Sequence, residues 1–190
     1  MTTGRLEAFS DGVLAIIITI MVLELKVPHG DDFHSISLLL PKILNYILSF
    51  IYVGVYWNNH HHLFQAITKI NGAILWANLH LLFWLSLLPV ATGWMGEHYT
   101  DEAPVAIYGA ILLLCSIAFA MVEKAALKFE GKESNLAKSL GNQRKELISV
   151  VGYLLGIGST IVYPQMGIAV YFLIALMWII PDKRIEKILT

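Results

Sequence analysis

Six apolar segments, separated by short polar connections, dominate the hydrophobic pattern of the chain. They cover residues 9–25, 37–57, 74–94, 103–122, 147–162 and 166–180. None alternates polar and apolar residues over about ten positions, as the strands of a membrane barrel do, so we predict helices. The first segment, 9–25, gives about 25 Å of helix, close to the shortest length that crosses a bilayer. The pattern therefore predicts an all-α membrane protein with six transmembrane helices.

Composition decides between a buried soluble core and a membrane. Hydrophobic residues make up 57% of the 190 residues and charged residues 14%, whereas a soluble domain is typically about 25% charged. The mean hydropathy is +0.67. The first segment does not resemble a cleavable signal peptide, because Glu24, Lys26 and Pro28 close it without a small-residue cleavage site. We expect one integral membrane domain over residues 1–190.

Basic residues are distributed unevenly between the two sets of connections, which predicts the orientation in the membrane. One set consists of the N-terminus, 59–73, 123–146 and the C-terminus, and the opposite set carries only Lys26 and Lys42. The first set holds Arg5, Lys69, Lys124, Lys128, Lys132, Lys138, Arg144, Lys145, Lys183, Arg184 and Lys187. We therefore expect a multi-pass protein of the cell membrane with both termini in the cytoplasm.

Charged residues at the start of the first segment need partners from elsewhere in the chain. Arg5 and Asp11 lie six positions apart, about 240° around a helix, so they do not face each other. The second segment returns to the same side of the membrane and ends at Trp57, with three adjacent histidines just beyond. Trp57 and His61 share a helical stripe there. We predict a hydrogen-bonded cluster of Arg5, Ser10, Asp11, Trp57 and a histidine, for which His61 is our choice. The alternative is that Asp11 and Trp57 face lipid headgroups.

Three consecutive histidines also suggest a metal site, but their spacing argues against one. Helical metal ligands pair at i and i+4 on one face, as in H-E-x-x-H. His60, His61 and His62 point about 100° apart from one another. We therefore expect no metal and no cofactor.

A single stripe on the first helix contains its one polar residue inside the membrane. Ile16, Thr19 and Leu23 lie at i, i+3 and i+7, and Ile20 flanks them. In a monomer this stripe would be core. In a symmetric oligomer with this helix at the centre, the same residues would form stacked rings, and hydrophobic rings gate channels by dewetting. The sequence leaves both alternatives open.

The segment starting Arg5-x-x-x-Phe9-Ser10-Asp11 resembles the R-x-x-x-F-S-D motif of the transmembrane-protein-175 family of lysosomal and bacterial potassium channels. The residues that follow, to Pro28, and the tryptophan–histidine–Leu63-Phe64 end of the second segment are similar to the bacterial branch. The resemblance covers the whole six-helix chain. It implies a homotetrameric, potassium-permeable cation channel without a T-V-G-Y-G filter, in which helix 1 of each subunit lines a central pore.

The resemblance also implies roles for individual residues. Ile16 corresponds to a constricting ring, Thr19 to a threonine that confers selectivity, and Leu23 to a second hydrophobic ring, with Ile20 beside them. The supporting polar network would consist of Arg5, Phe9, Ser10, Asp11, Trp57 and His61. The expected partners are three identical subunits, membrane lipids and monovalent cations, with K⁺ as the permeating ion and no nucleic acid.

Three competing functions remain. A secondary transporter would show internal repeats and helices broken by Gly or Pro, whereas the six segments lack such breaks except near their ends. An intramembrane enzyme would need a catalytic set, and neither H-E-x-x-H nor G-x-S-x-G occurs. A haem or metal protein would need axial histidines that face each other. A proton-permeable pore of the same fold is a variant of the channel and not a competing function.

Overall fold

The computed structural model describes residues 3–28, 30–131, 133–134, 136–137 and 144–179. Over these ranges the chain is helical, without strands. Its helices are α1 Thr3–Leu23, α2 Phe33–Ser37, α3 Leu40–Gln65, α4 Gly72–Leu85, α5 Leu88–Glu97, α6 Glu102–Glu130, α7 Arg144–Ser159 and α8 Pro164–Ile179. The basic residues Lys132, Lys138, Lys183, Arg184 and Lys187 of the orientation argument lie outside the described residues.

Within the part of the chain that the structure describes, three helical stretches are long and apolar enough to cross a membrane. They are α1, the α4–α5 stretch Gly72–Glu97 and α6, and α8 is a shorter apolar helix. The second predicted segment, 37–57, corresponds to α3, which continues to Gln65. The three adjacent histidines therefore stand on the last turns of a helix and not in a loop.

The third predicted segment is not one continuous helix. Helix α4 ends at Leu85 and α5 begins at Leu88, with Pro89 in its first turn. Proline has no backbone N–H, and its ring clashes with the carbonyl four residues earlier, so the helical ladder stops there. The expectation of helices unbroken except near their ends is wrong at this position.

Helix α1 is anchored by one face to the rest of the bundle. It packs on α3, α5 and α4. Its apolar anchors are Leu6, Leu14, Ile17 and Met21, each at most 3% exposed. Four buried side chains at this helical spacing define one seam, and the opposite side of α1 is exposed, with no partner among the residues that the structure describes.

Contacts between helices identify the two ends of the bundle. At the end where α1 begins, here called the N-terminal end, Thr68 after α3 bonds to Glu130 of α6 at 2.8 Å. At the opposite end, Lys42 of α3 forms an ion pair with Glu97 of α5 at 2.9 Å. The helices therefore alternate in direction, as short connections between them require.

Helices α7 and α8 form an antiparallel hairpin. Helices α7 and α8 pack together over their lengths. Gly152 and Gly156 of α7 stand against Ile174 and Tyr171 of α8, where a Cβ atom would be crowded. Small residues permit this close approach of the two helices.

Candidate functional site

The stripe of α1 singled out in the sequence is exposed in the single chain. Ile16 is 58%, Ile20 43% and Leu23 77% exposed, and Thr19 is exposed as well. The buried residues of α1 lie on its other side. The alternative that this stripe belongs to the core of a monomer is therefore excluded by the packing.

Thr19 presents an acceptor oxygen on that exposed face. Its hydroxyl Oγ1 donates to the backbone oxygen of Ile16 at 2.8 Å. Because the single O–H of the hydroxyl is used in this bond, the lone pairs of Oγ1 remain available to accept. A ring of such oxygens is able to replace part of the hydration shell of a cation.

Asp11 and Trp57 meet at the N-terminal end of the bundle. The indole Nε1–H of Trp57 donates to Oδ1 of Asp11 at 3.0 Å. Both residues are exposed in the single chain. A hydrogen bond to a charged acceptor is stronger than one between neutral groups, so this bond fixes the start of α1 to the end of α3.

Beneath this bond lies a fully buried chain of hydrogen bonds between polar side chains. Nε2 of His60 and Oδ1 of Asn78 are 2.8 Å apart, Nδ2 of Asn78 donates to Oγ of Ser10 at 3.0 Å, and Ser10 donates to the Leu6 carbonyl at 2.9 Å. Since the amide nitrogen of Asn78 faces Ser10, its oxygen faces His60, and His60 must donate from Nε2. The exposed fractions of Ser10, Asn78 and His60 are 0%, 0% and 2%.

Asn78 is the functional residue that the sequence reasoning missed. It is the only amide side chain in the apolar segment 74–94. A lone amide inside a membrane helix needs a hydrogen-bonding partner on a neighbouring helix. This requirement is the sequence signal from which Asn78 could have been identified. Through Asn78, helix α4 links α3 to α1.

The histidine in this buried chain of hydrogen bonds is His60, whereas the sequence analysis chose His61. His61 lies nearer the surface, where its Nδ1 is 3.5 Å from Oε1 of Glu7 and its Nε2 is 2.8 Å from the amide of Gln65. Its ring stacks on Trp57 with an interplanar angle of 15°. His61 therefore supports the Asp11–Trp57 bond from outside. The two histidines are neighbours in sequence, about 100° apart around α3, and only His60 points inward.

Two further residues of the predicted cluster stand apart from it. Arg5 is exposed and makes no hydrogen bond or ion pair with another residue of the described ranges. Phe9 is 52% exposed. Both lie on the side of α1 that also carries the exposed stripe. The single chain therefore gathers Ser10, Asp11 and Trp57 but leaves Arg5 and Phe9 facing outward.

The arrangement holds no group of metal ligands. Among the residues that the structure describes, no three His, Cys, Asp or Glu side chains come together in a way that could hold a metal ion. The adjacent histidines diverge, as their spacing requires.

Comparisons with known proteins agree on one family of channels. A family model described as "Endosomal/lysosomal potassium channel TMEM175" matches residues 5–89. A potassium channel of Chryseobacterium sp. (strain P1-3) is 58% identical, covering 98% of this chain and 97% of its own length. The endosomal/lysosomal proton channel TMEM175 of Gallus gallus is 35% identical over 48% of this chain and 21% of its own length.

A solved structure has the same fold. The crystal structure of a lysosomal potassium-selective channel TMEM175 homolog from Chamaesiphon minutus superposes with a TM-score of 0.80 and 28% sequence identity. The match covers 93% of this chain and 96% of that one.

Proposed function

The chain belongs to the TMEM175 family, a family of ion channels and not of enzymes, and from this premise we propose that it is a potassium-permeable channel. Four identical subunits would assemble with α1 of each at the centre. The observation that carries the proposal is the exposed face of α1, on which Ile16, Thr19 and Leu23 are left uncovered by the other described helices.

Contact with lipid alone would be unfavourable for the exposed side of α1. Arg5, Asp11 and Thr19 all lie on exposed parts of α1, and charged side chains that face a membrane protein's own water-filled path are far less costly than ones that face lipid. Arg5, which finds no partner within the described part of its own chain, is placed to meet a neighbouring subunit.

The proposed filter is hydrophobic with one polar layer. Ile16 would form the narrowest ring, Thr19 a ring of hydroxyl oxygens about one turn further along, and Leu23 a second apolar ring, with Ile20 between them. Apolar rings stop ions by dewetting, and the threonine oxygens would favour a partly dehydrated cation. No T-V-G-Y-G sequence occurs in the chain, so selectivity in this scheme comes from α1 itself.

The membrane arrangement follows from the charges and the packing. The six crossings would be α1, α3, the α4–α5 stretch, α6, α7 and α8 in a single domain. The excess of Lys and Arg in the connections at the N-terminal end of the bundle supports cytoplasmic positions for both termini, and the cell membrane is the proposed location.

Proton permeation is a second candidate, favoured by the name of the Gallus gallus relative, a proton channel. A hydrophobic constriction that excludes hydrated potassium would still pass protons along a transient water file. The two candidates are separated by measuring potassium and proton flux in the same liposomes.

The test is ion flux into liposomes that hold the purified protein, with wild type beside Ile16→Asn. Asparagine would wet the constriction, so we expect larger potassium flux and a weaker preference for potassium over sodium. Leu155→Asn is the matched control, because Leu155 is 66% exposed on α7, away from α1. Equal effects of the two substitutions, or no effect of Ile16→Asn, would remove Ile16 from the gate.

A further inference from the structure

A cavity at the end of the bundle opposite to its N-terminal end is lined by four charged side chains. It has a volume of about 330 Å³, within the range of about 300–1,000 Å³ that is usual for small-molecule sites. Glu24 and Lys26, which directly follow α1, line it together with Lys42 of α3 and Glu97 of α5. Helices α1, α3 and α5 pack on one another, and the end of each therefore brings charge to the same cavity.

Two glycines form the part of the cavity wall that α5 contributes closest to the charges. A Cβ atom at Gly93 would lie 3.6 Å from Oε2 of Glu24, and a Cβ atom at Gly96 would lie 3.3 Å from the Cα of Lys42. Residues three positions apart share one face of a helix. The Glu24 carboxylate therefore lies over the backbone of α5, and α3 approaches α5 closely beside it.

Two of the four charges are paired and two are not. Nζ of Lys42 lies 2.9 Å from Oε1 of Glu97. Glu24 and Lys26 are exposed, and the side chain of neither forms an ion pair or a hydrogen bond within the described part of the chain. The cavity therefore offers a free ammonium and a free carboxylate, and its four charges sum to zero.

These charges determine which ligand the cavity favours. An anion without a positive group would face the Glu24 carboxylate, and a cation without a negative group would face Lys26, which is unfavourable because like charges repel. A zwitterion forms a charge-assisted hydrogen bond with each of the two. Lys42 adds to the positive side, because its ammonium has three N–H donors and only one is used for Glu97.

The apolar surroundings of the cavity indicate that this zwitterion is a lipid headgroup. Tyr46 of α3 and Trp94 of α5 line the cavity, and such amphipathic rings are enriched at the level of the headgroups. Val90, which also lines it, is 73% exposed, and Phe50, whose ring centroid is 6.2 Å from that of Tyr46, is 46% exposed. Since α3 begins and α5 ends at the cavity, Phe50 and Val90 both lie about one helical turn deeper in the membrane than the two rings that line it. Acyl chains cover this apolar surface, whereas a soluble zwitterion leaves it bare.

We propose that this cavity binds a zwitterionic phospholipid with a primary ammonium, phosphatidylethanolamine. Its phosphate accepts hydrogen bonds from Lys26 and Lys42, and its ammonium donates to Glu24. The acyl chains lie on the exposed surface of Val90 and Phe50. A primary ammonium has N–H donors for Glu24, whereas the quaternary ammonium of phosphatidylcholine has none. Because Glu24 and Lys26 directly follow α1, the bound lipid ties the end of α1 to α3 and α5.

Native mass spectrometry of the delipidated full-length protein tests the proposal. Phosphatidylethanolamine, phosphatidylcholine and phosphatidylglycerol with identical acyl chains are added at equal concentrations, and we expect the highest occupancy for phosphatidylethanolamine. Glu24→Gln should lower the ratio of phosphatidylethanolamine to phosphatidylcholine bound by about three- to tenfold, since one charge-assisted hydrogen bond weakens. Glu102→Gln is the matched control, because Glu102 is exposed at the same end of the bundle and does not line the cavity. The proposal is overturned if the wild type does not prefer phosphatidylethanolamine or if Glu24→Gln keeps that preference.

A second variant keeps the test decisive if Glu24→Gln does not assemble. Val90→Trp fills part of the cavity at an exposed position without changing its charges, so it should lower the occupancy by phosphatidylethanolamine. Ile107→Trp is its control, because Ile107 is 45% exposed on α6 and does not line the cavity. Wild-type occupancy in Val90→Trp would show that the lipid binds elsewhere and would overturn the proposal.

Glycerophosphoethanolamine, the same headgroup without acyl chains, distinguishes a lipid from a soluble zwitterion. Added at the same concentration, it should form few adducts and should not displace bound phosphatidylethanolamine. If it binds as well as the lipid, the assignment of the cavity to a phospholipid is overturned.

Discussion

Removing the amide of Asn78 tests whether the buried hydrogen bonds that link His60, Asn78 and Ser10 hold α1 in place. Asn78→Leu keeps the branching and approximate size of the side chain but removes both of its hydrogen bonds, to His60 and to Ser10. Ser10 still donates to the Leu6 carbonyl, so it loses only an accepted bond. The imidazole Nε2–H of His60 loses its acceptor inside the bundle.

The expected destabilisation follows from these losses. An unsatisfied buried donor costs about 1–3 kcal/mol, and the lost bond to Ser10 adds about 1 kcal/mol. The larger apolar surface of leucine offsets part of this, which leaves about 2 kcal/mol. For a chain of this length, that corresponds to a fall in Tm of about 4–8 °C.

The assay is thermal unfolding of the detergent-solubilised protein, followed by loss of the native oligomer on size-exclusion chromatography. Asn58→Leu is the control, because Asn58 is exposed on α3, and it should leave Tm nearly unchanged. Adding His60→Leu to Asn78→Leu should cost less than the sum of the single changes, since both partners of the bond are then apolar. Wild-type stability of Asn78→Leu, or strict additivity, would refute the reasoning.

Two further substitutions test the surroundings of α1 and the packing of α8. Asp11→Ala removes the acceptor of the Trp57 indole and should reduce both oligomer yield and ion flux. Asp11→Asn keeps an acceptor oxygen, so it should retain more of both. Equal oligomer yield and flux in the two variants would show that the bond is unimportant. Gly109→Ala would place a Cβ against the ring and hydroxyl of the buried Tyr171. We expect this overpacking to lower the free energy of unfolding by about 1–3 kcal/mol, measured as a lower Tm. Gly54→Ala is the control, because its Cβ would meet nothing within 4 Å, and it should leave Tm unchanged.

Apolar segment length and residue type determined the helices in advance. Backbone groups in a membrane must bond within their own segment, so a long apolar run has few alternatives to a helix. The Arg5-to-Asp11 motif likewise pointed to the family, and the single stripe of Ile16, Thr19 and Leu23 follows from helical periodicity alone. The break before Pro89 could have been read from the sequence as well, because it depends only on the missing N–H of proline.

Which residues meet across helices was decided by the tertiary structure. Periodicity gives the angle between His60 and His61 but not the rotation of α3 about its axis, and that rotation turns His60 toward Asn78 and leaves His61 against Glu7. Contacts between helices depend on rotations and crossing angles set by the whole core, and no local pattern of residues contains them.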